Sequence, residues 1–274
     1  MKEVFFKHRA TDGIADVVTP NNSDSNGLEL SLIHATPGWP LDLASPGKES
    51  LLIILGGRCT IAVQGQDPWK HLGTRSDVFE GVATSVYVPA GGAYRISAGG
   101  AGAHVAVFRA PVEDPRQGAP AGGKAYVIRP EDVVVAVRGD GPTRRTVHTI
   151  LDESKPAQRL VAGETFNEPG GWSSYPPHKH DRHDPPREAV FQEVYYFRVK
   201  PKEGFGFQRL YSPERHLDAT YVVEDGDTVL IPFGYHPVVA APGYRLYYLW
   251  ALAGEGRHLA ATEDPAHAWV TKKT

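Results

Sequence analysis

Apolar residues along this chain come in short runs separated by turn formers. Leu28 to Ile33, Leu51 to Ile54, Cys59 to Val63, Ser85 to Val88, His104 to Phe108, Val133 to Val137, Val190 to Val199, Phe205 to Tyr211, Thr228 to Ile231 and Leu246 to Trp250 are each rich in Val, Ile, Tyr or Phe. Most are bounded by Gly, Pro, Asp or Asn, which reads as strands joined by turns. No segment sustains a 3.6-residue apolar repeat over a dozen residues, so no long helix is predicted. Many short strands at close spacing predict an all-β sandwich or barrel.

The pattern breaks near the midpoint. Residues 111–124, PVEDPRQGAPAGGK, are dense in Pro and Gly and have no apolar period, so they read as a linker. At 274 residues the chain is long for one domain and sufficient for two. The expected division is residues 1–124 and residues 125–274. The two halves share a device. Val86-Tyr-Val88 runs into Pro89-Ala-Gly91, and Val229-Leu-Ile231 runs into Pro232-Phe-Gly234. An internal duplication accounts for this, with chance recurrence of a common turn as the alternative. His236 follows the second turn, and no histidine follows the first.

Composition narrows the function classes. Hydrophobic residues make up 41% and charged residues 22%, the balance of a soluble globular protein. A formal net charge of -3 gives no reason to expect nucleic acid or an anionic membrane as partner. The single cysteine, Cys59, cannot form an internal disulfide, and it reads as a small packed residue. The first ten residues are charged and no window approaches a transmembrane length, so a cytoplasmic location is expected.

The chemistry concentrates in the second half. In Tyr175-Pro-Pro-His178-Lys-His180 the two histidines sit at i and i+2, which a strand aims to one side. Glu193 opens the apolar run Glu193-Val-Tyr-Tyr-Phe, and a carboxylate there is costly to bury without a cation. His236 follows a proline and a glycine that would hold the backbone so that it points inward. Glu188 is the rival carboxylate, because the interval from His180 to Glu193 is long. Three histidines and a carboxylate suit Zn, Fe, Mn, Ni or Co, and do not choose among them. Lys179 alternates with the histidines and should point away. His183, His216, His258 and His267 read as surface residues. His148 follows a strand-like run with no partner evident.

These residues resemble the two cupin motifs, the first spanning His178, His180 and Glu193, the second spanning Gly226, Pro232-Phe-Gly234 and His236. An Asn expected shortly after the last histidine is replaced by Ala240. Longer strings narrow the resemblance. Trp172-Ser-Ser-Tyr-Pro-Pro-His178-Lys-His180-Asp, Glu193-Val-Tyr-Tyr-Phe-Arg, Gly204-Phe-Gly-Phe-Gln-Arg209-Leu-Tyr211 and Gly234-Tyr-His-Pro-Val are similar to the 5-deoxy-glucuronate isomerase family of myo-inositol catabolism, related to 4-deoxy-L-threo-5-hexosulose-uronate ketol-isomerase. The likeness runs over most of the chain, including Arg75-Ser-Asp-Val-Phe. It implies a bicupin of two tandem antiparallel jelly-roll barrels, with the metal in the C-terminal barrel. It implies an aldose–ketose isomerase acting on a small anionic sugar acid, 5-deoxy-D-glucuronate. Such a reaction needs a proton-transferring base, for which a metal-bound hydroxide, Glu193 acting off the metal, and Glu188 are the candidates.

The substrate residues expected are Gln208, Arg209 and Tyr248. The pleat admits only one of Gln208 and Arg209 to the pocket, and arginine suits a uronate carboxylate. Two other readings stand beside this one: an Fe-dependent bicupin dioxygenase, and a sugar-binding cupin without activity. Self-association into a homo-oligomer is compatible with any of them.

Overall fold

The computed structural model describes residues 3–8, 12–113, 123–254 and 256–271. Most of the expected linker lies outside the described residues. No α-helix occurs among them; short 3-10 turns are the only helical pieces. The chain divides into two compact units. One contains Arg9–Val134 and Thr149–Val161, and the other contains Met1–His8, Val135–His148 and Ala162–Thr274. The expected cut at 124/125 is therefore displaced. The division falls inside the strands Val134–Arg138, Arg145–Leu151 and Leu160–Asn167, and not at the Pro/Gly-rich stretch.

The first unit is built on two long strands, Lys48–Val63 and Ala93–Pro111. Ala93–Pro111 pairs Leu41–Ala44 near one end and Glu29–Ala35 near the other, so one strand serves both sides of the unit. The sequence reads Lys48–Val63 as two pieces because Gly56 and Gly57 interrupt it. The structure keeps it continuous and bends it there, with bulges on both sides of the pair. Gly57 has φ +83, and a Cβ on it would lie 2.3 Å from the Gly102 carbonyl oxygen, so only glycine makes this corner. The interior is filled by aliphatic side chains, among them Ile33, Leu52, Ile54, Ile61, Val86 and Ile96. Cys59 packs among them, and burial pushes its thiol up to about 12.

The second unit has two large sheets and a two-stranded one, His178–Lys179 paired with Thr262–Glu263. The larger runs in the order Phe5–Phe6, Thr228–Ile231, Glu188–Lys200, Arg245–Gly254, Leu160–Asn167, Arg145–Leu151, Val134–Arg138. The smaller runs Trp172–Ser173, Val238–Ala240, Phe205–Ser212, Leu217–Glu224. Tyr195, Phe197 and Leu246 from the first sheet meet Leu210, Val223 and Val238 from the second in one apolar core. This is a two-sheet sandwich with alternating inward residues. Both units repeat the short buried strand before a Pro-x-Gly turn, at Ser85–Val88 and Thr228–Ile231, with Gly91 at φ +81 and Gly234 at φ +91.

Glu49 is a structural carboxylate of the first unit. It is completely buried, and accepts backbone N–H bonds from Gln158 (2.7 Å), Arg159 (2.7 Å) and Leu160 (2.6 Å), plus the Tyr87 hydroxyl. This fastens segment 149–161 to its own unit. Truncation removes the acceptor these donors share, at roughly 1–3 kcal/mol for a buried donor left unmet, with partial recovery by relaxation. Glu49→Ala is expected to lose about 3–5 kcal/mol. The shift of the urea unfolding midpoint measures this.

Candidate metal centre

The strand Glu188–Lys200 lies between Thr228–Ile231 and Arg245–Gly254, with Glu193 opposite Ile231 on one side and Leu252 on the other. The pleat sends Glu193, Tyr195, Phe197 and Val199 to one face, and the last three belong to the apolar core. Glu193 is thus a carboxylate on an interior face, 5% exposed.

His236 reaches the same place from the Pro232–Gly234 turn. At Gly234 a Cβ would come 2.7 Å from the Tyr211 carbonyl oxygen, so the turn needs glycine twice over, for its φ and for this approach. Tyr235 then exchanges backbone bonds with Tyr211, 2.8 and 2.9 Å long. That register sets His236 opposite Leu210 and turns its imidazole inward, fully buried.

The tautomers follow from the partners. His236 Nδ1 is 2.9 Å from the Gly234 carbonyl oxygen, and His180 Nδ1 is 3.0 Å from that of Phe191. A carbonyl only accepts, so both Nδ1 atoms carry hydrogen and neutral rings present bare Nε2 lone pairs. His180 Nε2 lies 3.0 Å from Glu193 Oε2. His236 Nε2 lies 3.3 Å from the same oxygen but out of hydrogen-bond alignment, and has no hydrogen-bond partner. The ligand atoms of His180, Glu193 and His236 all fall within 4.8 Å of one another. Two lone pairs and a carboxylate turned onto one buried point repel each other unless a cation sits among them. Backbone acceptors on the far ring nitrogens are what metal-ligating histidines use. The donor set therefore fits a divalent first-row ion.

Electrostatics agree with that fit. Burial raises the Glu193 carboxyl, against the hydrogen bond and charge of His180. Burial lowers His236 well below the ordinary imidazole range, and His178 and His180 add to it. Burial also acts to lower His180, but the Glu193 bond and charge outweigh it and hold that ring above its usual value. The metal-free pair thus shares a proton, which a cation would displace.

His178 stands beside this group and outside it. Its ring is 4.8 Å from that of His236 and 6.3 Å from that of His180, measured between centroids. The structure gathers three of the four expected ligands, and the fourth is a neighbour. Burial lowers His178 to about 3, aided by the charges of His180 and Arg145.

Glu188, the rival carboxylate, is engaged in a separate network. It accepts from Lys179 Nζ at 2.8 Å and from the backbone N–H of Asp181 and Arg182, each at 2.9 Å. Lys179 also binds Asp181 at 2.6 Å, and the other Asp181 oxygen accepts from Gly234 N at 2.9 Å. Lys179, Asp181 and Glu188 thus tie the His-x-His segment to the turn that carries His236. Lys179 points away from the cluster, as its alternation predicts.

The pleat decides between Gln208 and Arg209. Gln208 faces inward and is fully buried. Arg209 faces outward, where it binds Asp218 through two bonds of 2.8 Å and covers the Tyr211 ring. The structure does not bring Arg209 to the cluster. Tyr248 is on the inner face, stacked on Tyr195 at 4.3 Å, but its hydroxyl is engaged by Ser173, Thr165 and Ser174, which makes it wall. Arg145 carries no motif and the sequence passes it over. Its charge acts on both His178 and Tyr248, and the neighbouring turn Gly141–Thr143 packs on Trp172–Ser173. His148 has a partner after all: its Nδ1 is 3.2 Å from buried Glu164, which also accepts from Tyr247 at 2.8 Å. This network uses Glu164 and Tyr247, next to the inward Thr165 and Tyr248, so it lies on the opposite face of the sheet.

Comparison with known proteins places this geometry. The KduI/IolB family model matches residues 4–270. A 5-deoxy-glucuronate isomerase of Geobacillus thermodenitrificans (strain NG80-2) is 40% identical over 254 residues, which is 92% of this chain and 89% of that protein. The crystal structure of an IolB-like protein from Salmonella typhimurium LT2 superposes with a TM-score of 0.91 at 30% identity, covering 98% of this chain and 100% of that one. A mutant of Bacillus subtilis oxalate decarboxylase has a TM-score of 0.63 at 13% identity, covering 96% and 80%, which bears on fold alone. The fold is an all-β bicupin, as expected. No helix among the described residues is long and apolar enough to cross a membrane.

Purified protein is expected to carry one divalent ion per chain by plasma mass spectrometry. His180→Ala and His236→Ala should each lower its metal affinity by more than about tenfold, because each removes a donor from a closed buried set.

Proposed function

This chain belongs to the KduI/IolB family, and on that premise we propose that it is a metal-dependent aldose–ketose isomerase converting 5-deoxy-D-glucuronate to 5-dehydro-2-deoxy-D-gluconate in myo-inositol catabolism. The observation that carries the reading is the buried His180–Glu193–His236 cluster, in a chain 40% identical to a protein of that name. A bound divalent ion, whether Zn, Fe, Mn, Ni or Co, would supply the Lewis acid that polarises the carbonyl and offsets the negative charge developing on the oxygens of the two reacting carbons.

The residues supply the rest. His180 and His236 are each oriented by a backbone carbonyl at Nδ1, which leaves Nε2 turned to the cluster in both. His178 is the fourth member we assign, close enough to join by a small ring movement. The hydrogen must leave one carbon and arrive at the next, which calls for a base at the cluster. We assign that role to Glu193. Burial raises its affinity for a proton, and its hydrogen bond with Tyr195 continues to Ser174, whose Oγ is 3.0 Å from the tyrosine hydroxyl. The apolar core beneath, from Tyr195 to Val199, keeps water from the reacting carbons. Arg145 is the cation we assign to the substrate carboxylate, in place of Arg209. A cytoplasmic setting accords with one free cysteine buried in the core.

Conversion of the aldehyde to the ketone by metal-reconstituted protein, followed by NMR, tests the reaction. His236→Ala should lose at least about a thousandfold in turnover, as expected for removal of the group that stabilises developing charge. Wild-type turnover no greater than that of a His178→Ala, His236→Ala double variant would sink the reading. Separately, Arg145→Ala should raise KM about tenfold or more with kcat within a few fold, since a carboxylate clamp acts on ground and transition states alike.

A further inference from the structure

Gln208 sits in the strand Phe205–Ser212, completely buried, and neither its amide oxygen nor its amide nitrogen has a hydrogen-bond partner. Among the described residues it is the one side chain orphaned at two buried polar atoms. The contrast with its neighbours is instructive. Asn167 leaves its oxygen unmet but donates to Ser173 Oγ at 2.9 Å. Thr228 is orphaned on the opposite face of its sheet, paired with Tyr196 and Phe6. Gln208 is unmet on the inner face. A methionine or leucine would fill that space without stranding an amide, so fold stability does not explain the residue.

Its position does. Gln208 lies opposite Val238 on one neighbouring strand and Tyr221 on the other. The same register continues through the Tyr211–Tyr235 bridge, which sets Leu210 opposite His236. Gln208 and His236 are therefore diagonal neighbours on one face of adjacent segments, about 7–8 Å apart with the Cβ atoms somewhat closer. The long glutamine side chain spans much of that interval. The amide is thus an unmet donor and acceptor one pleat from the cluster.

We propose that Gln208 is a specificity-determining residue that holds a hydroxyl of the sugar-acid substrate next to the reacting carbons, its nitrogen donating to that oxygen and its own oxygen accepting the hydroxyl hydrogen. This rests on the isomerase reading above. A primary amide needs a group that both gives and takes a hydrogen bond, and a hydroxyl does both. A carboxylate would satisfy only the nitrogen and turn negative charge onto the amide oxygen. The site therefore reads the polyol part of the substrate here, and leaves the anionic end to a cation. A sugar acid lacking that hydroxyl would strand the amide again, which is how such a site rejects deoxy analogues.

Gln208→Met keeps length and burial while removing both polar atoms. Three readouts are compared with wild type: kcat/KM for 5-deoxy-D-glucuronate, metal content, and the thermal midpoint of the metal-loaded protein without substrate. The expected result is a loss of about tenfold to a hundredfold in kcat/KM, with metal content kept and the midpoint unchanged or raised. A purely structural glutamine gives the opposite signature, a lowered midpoint, and that result overturns the proposal. So does a kcat/KM within twofold of wild type. A wild type that fails to convert the sugar acid brings down the isomerase reading and this assignment together. A wild type that converts it no better than Gln208→Met brings down this assignment alone.

Discussion

One ionisable group governs the second unit: the Glu193 carboxylate on the inner face of an otherwise apolar strand. Its cross-strand partners are Ile231 and Leu252, and Tyr195 and Phe197 follow it on the same face. Such a carboxylate cannot stay ionised in that setting without positive charge close by. The chain answers with two imidazoles whose far nitrogens are committed to backbone carbonyls. That arrangement turns both Nε2 atoms onto the carboxylate, where a cation would replace the proton that His180 and Glu193 otherwise share. The cluster is incomplete as a protein structure and complete as a ligand set.

Holding two imidazoles against a carboxylate requires a frame, and the frame is a second set of charges. Lys179, Asp181 and Glu188 form a half-buried network that fastens the His-x-His segment to the Gly234 turn. Burial opposes ionisation of both Lys179 and Asp181, yet their mutual bonds prevail, raising the lysine and lowering the aspartate. The two histidine-bearing loops are thereby coupled, and a displacement of one is felt by the other. Placement of this network behind the histidines also explains why the chain tolerates so many charges near its core without their competing for the metal.

Most of this was legible in the sequence where parity and turn chemistry agreed. Ser85–Val88 and Thr228–Ile231 are read to the residue, since each is a short apolar run stopped by Pro-x-Gly. Glu193 is legible because its strand is uniformly apolar on the face it shares. What escaped has physical reasons. Leu160–Asn167 was missed because Glu164 and Thr165 look like a loop, whereas His148, Tyr247 and Trp250 satisfy them from adjacent strands. Arg209 drew attention by its chemistry, although the parity of Leu210, a core residue two beyond Gln208, already pointed Gln208 inward. Arg145 lies in no motif, and only the folded sheet brings its charge to His178.

The two units use their buried carboxylates differently. The first closes around aliphatic residues and confines its buried carboxylate, Glu49, to a role in which every lone pair is met by the backbone or a tyrosine. Unmet buried polar atoms occur in both units, at Thr84, Ser85 and Tyr94 in the first for example; in the second they include the His236 nitrogen and both ends of Gln208, on the face that carries the cluster. Along the inner face of Glu188–Lys200 the residues pass from carboxylate to tyrosine to phenylalanine to valine, so one end of the strand is polar and the other packs tightly. Stability is supplied at the apolar end and given up at the polar end, as expected where a fold carries a reactive site. An unmet buried group in such a place is best understood through its missing partner. For His236 that partner is a cation. For Gln208, on the assignment proposed above, it is a group that donates and accepts at once.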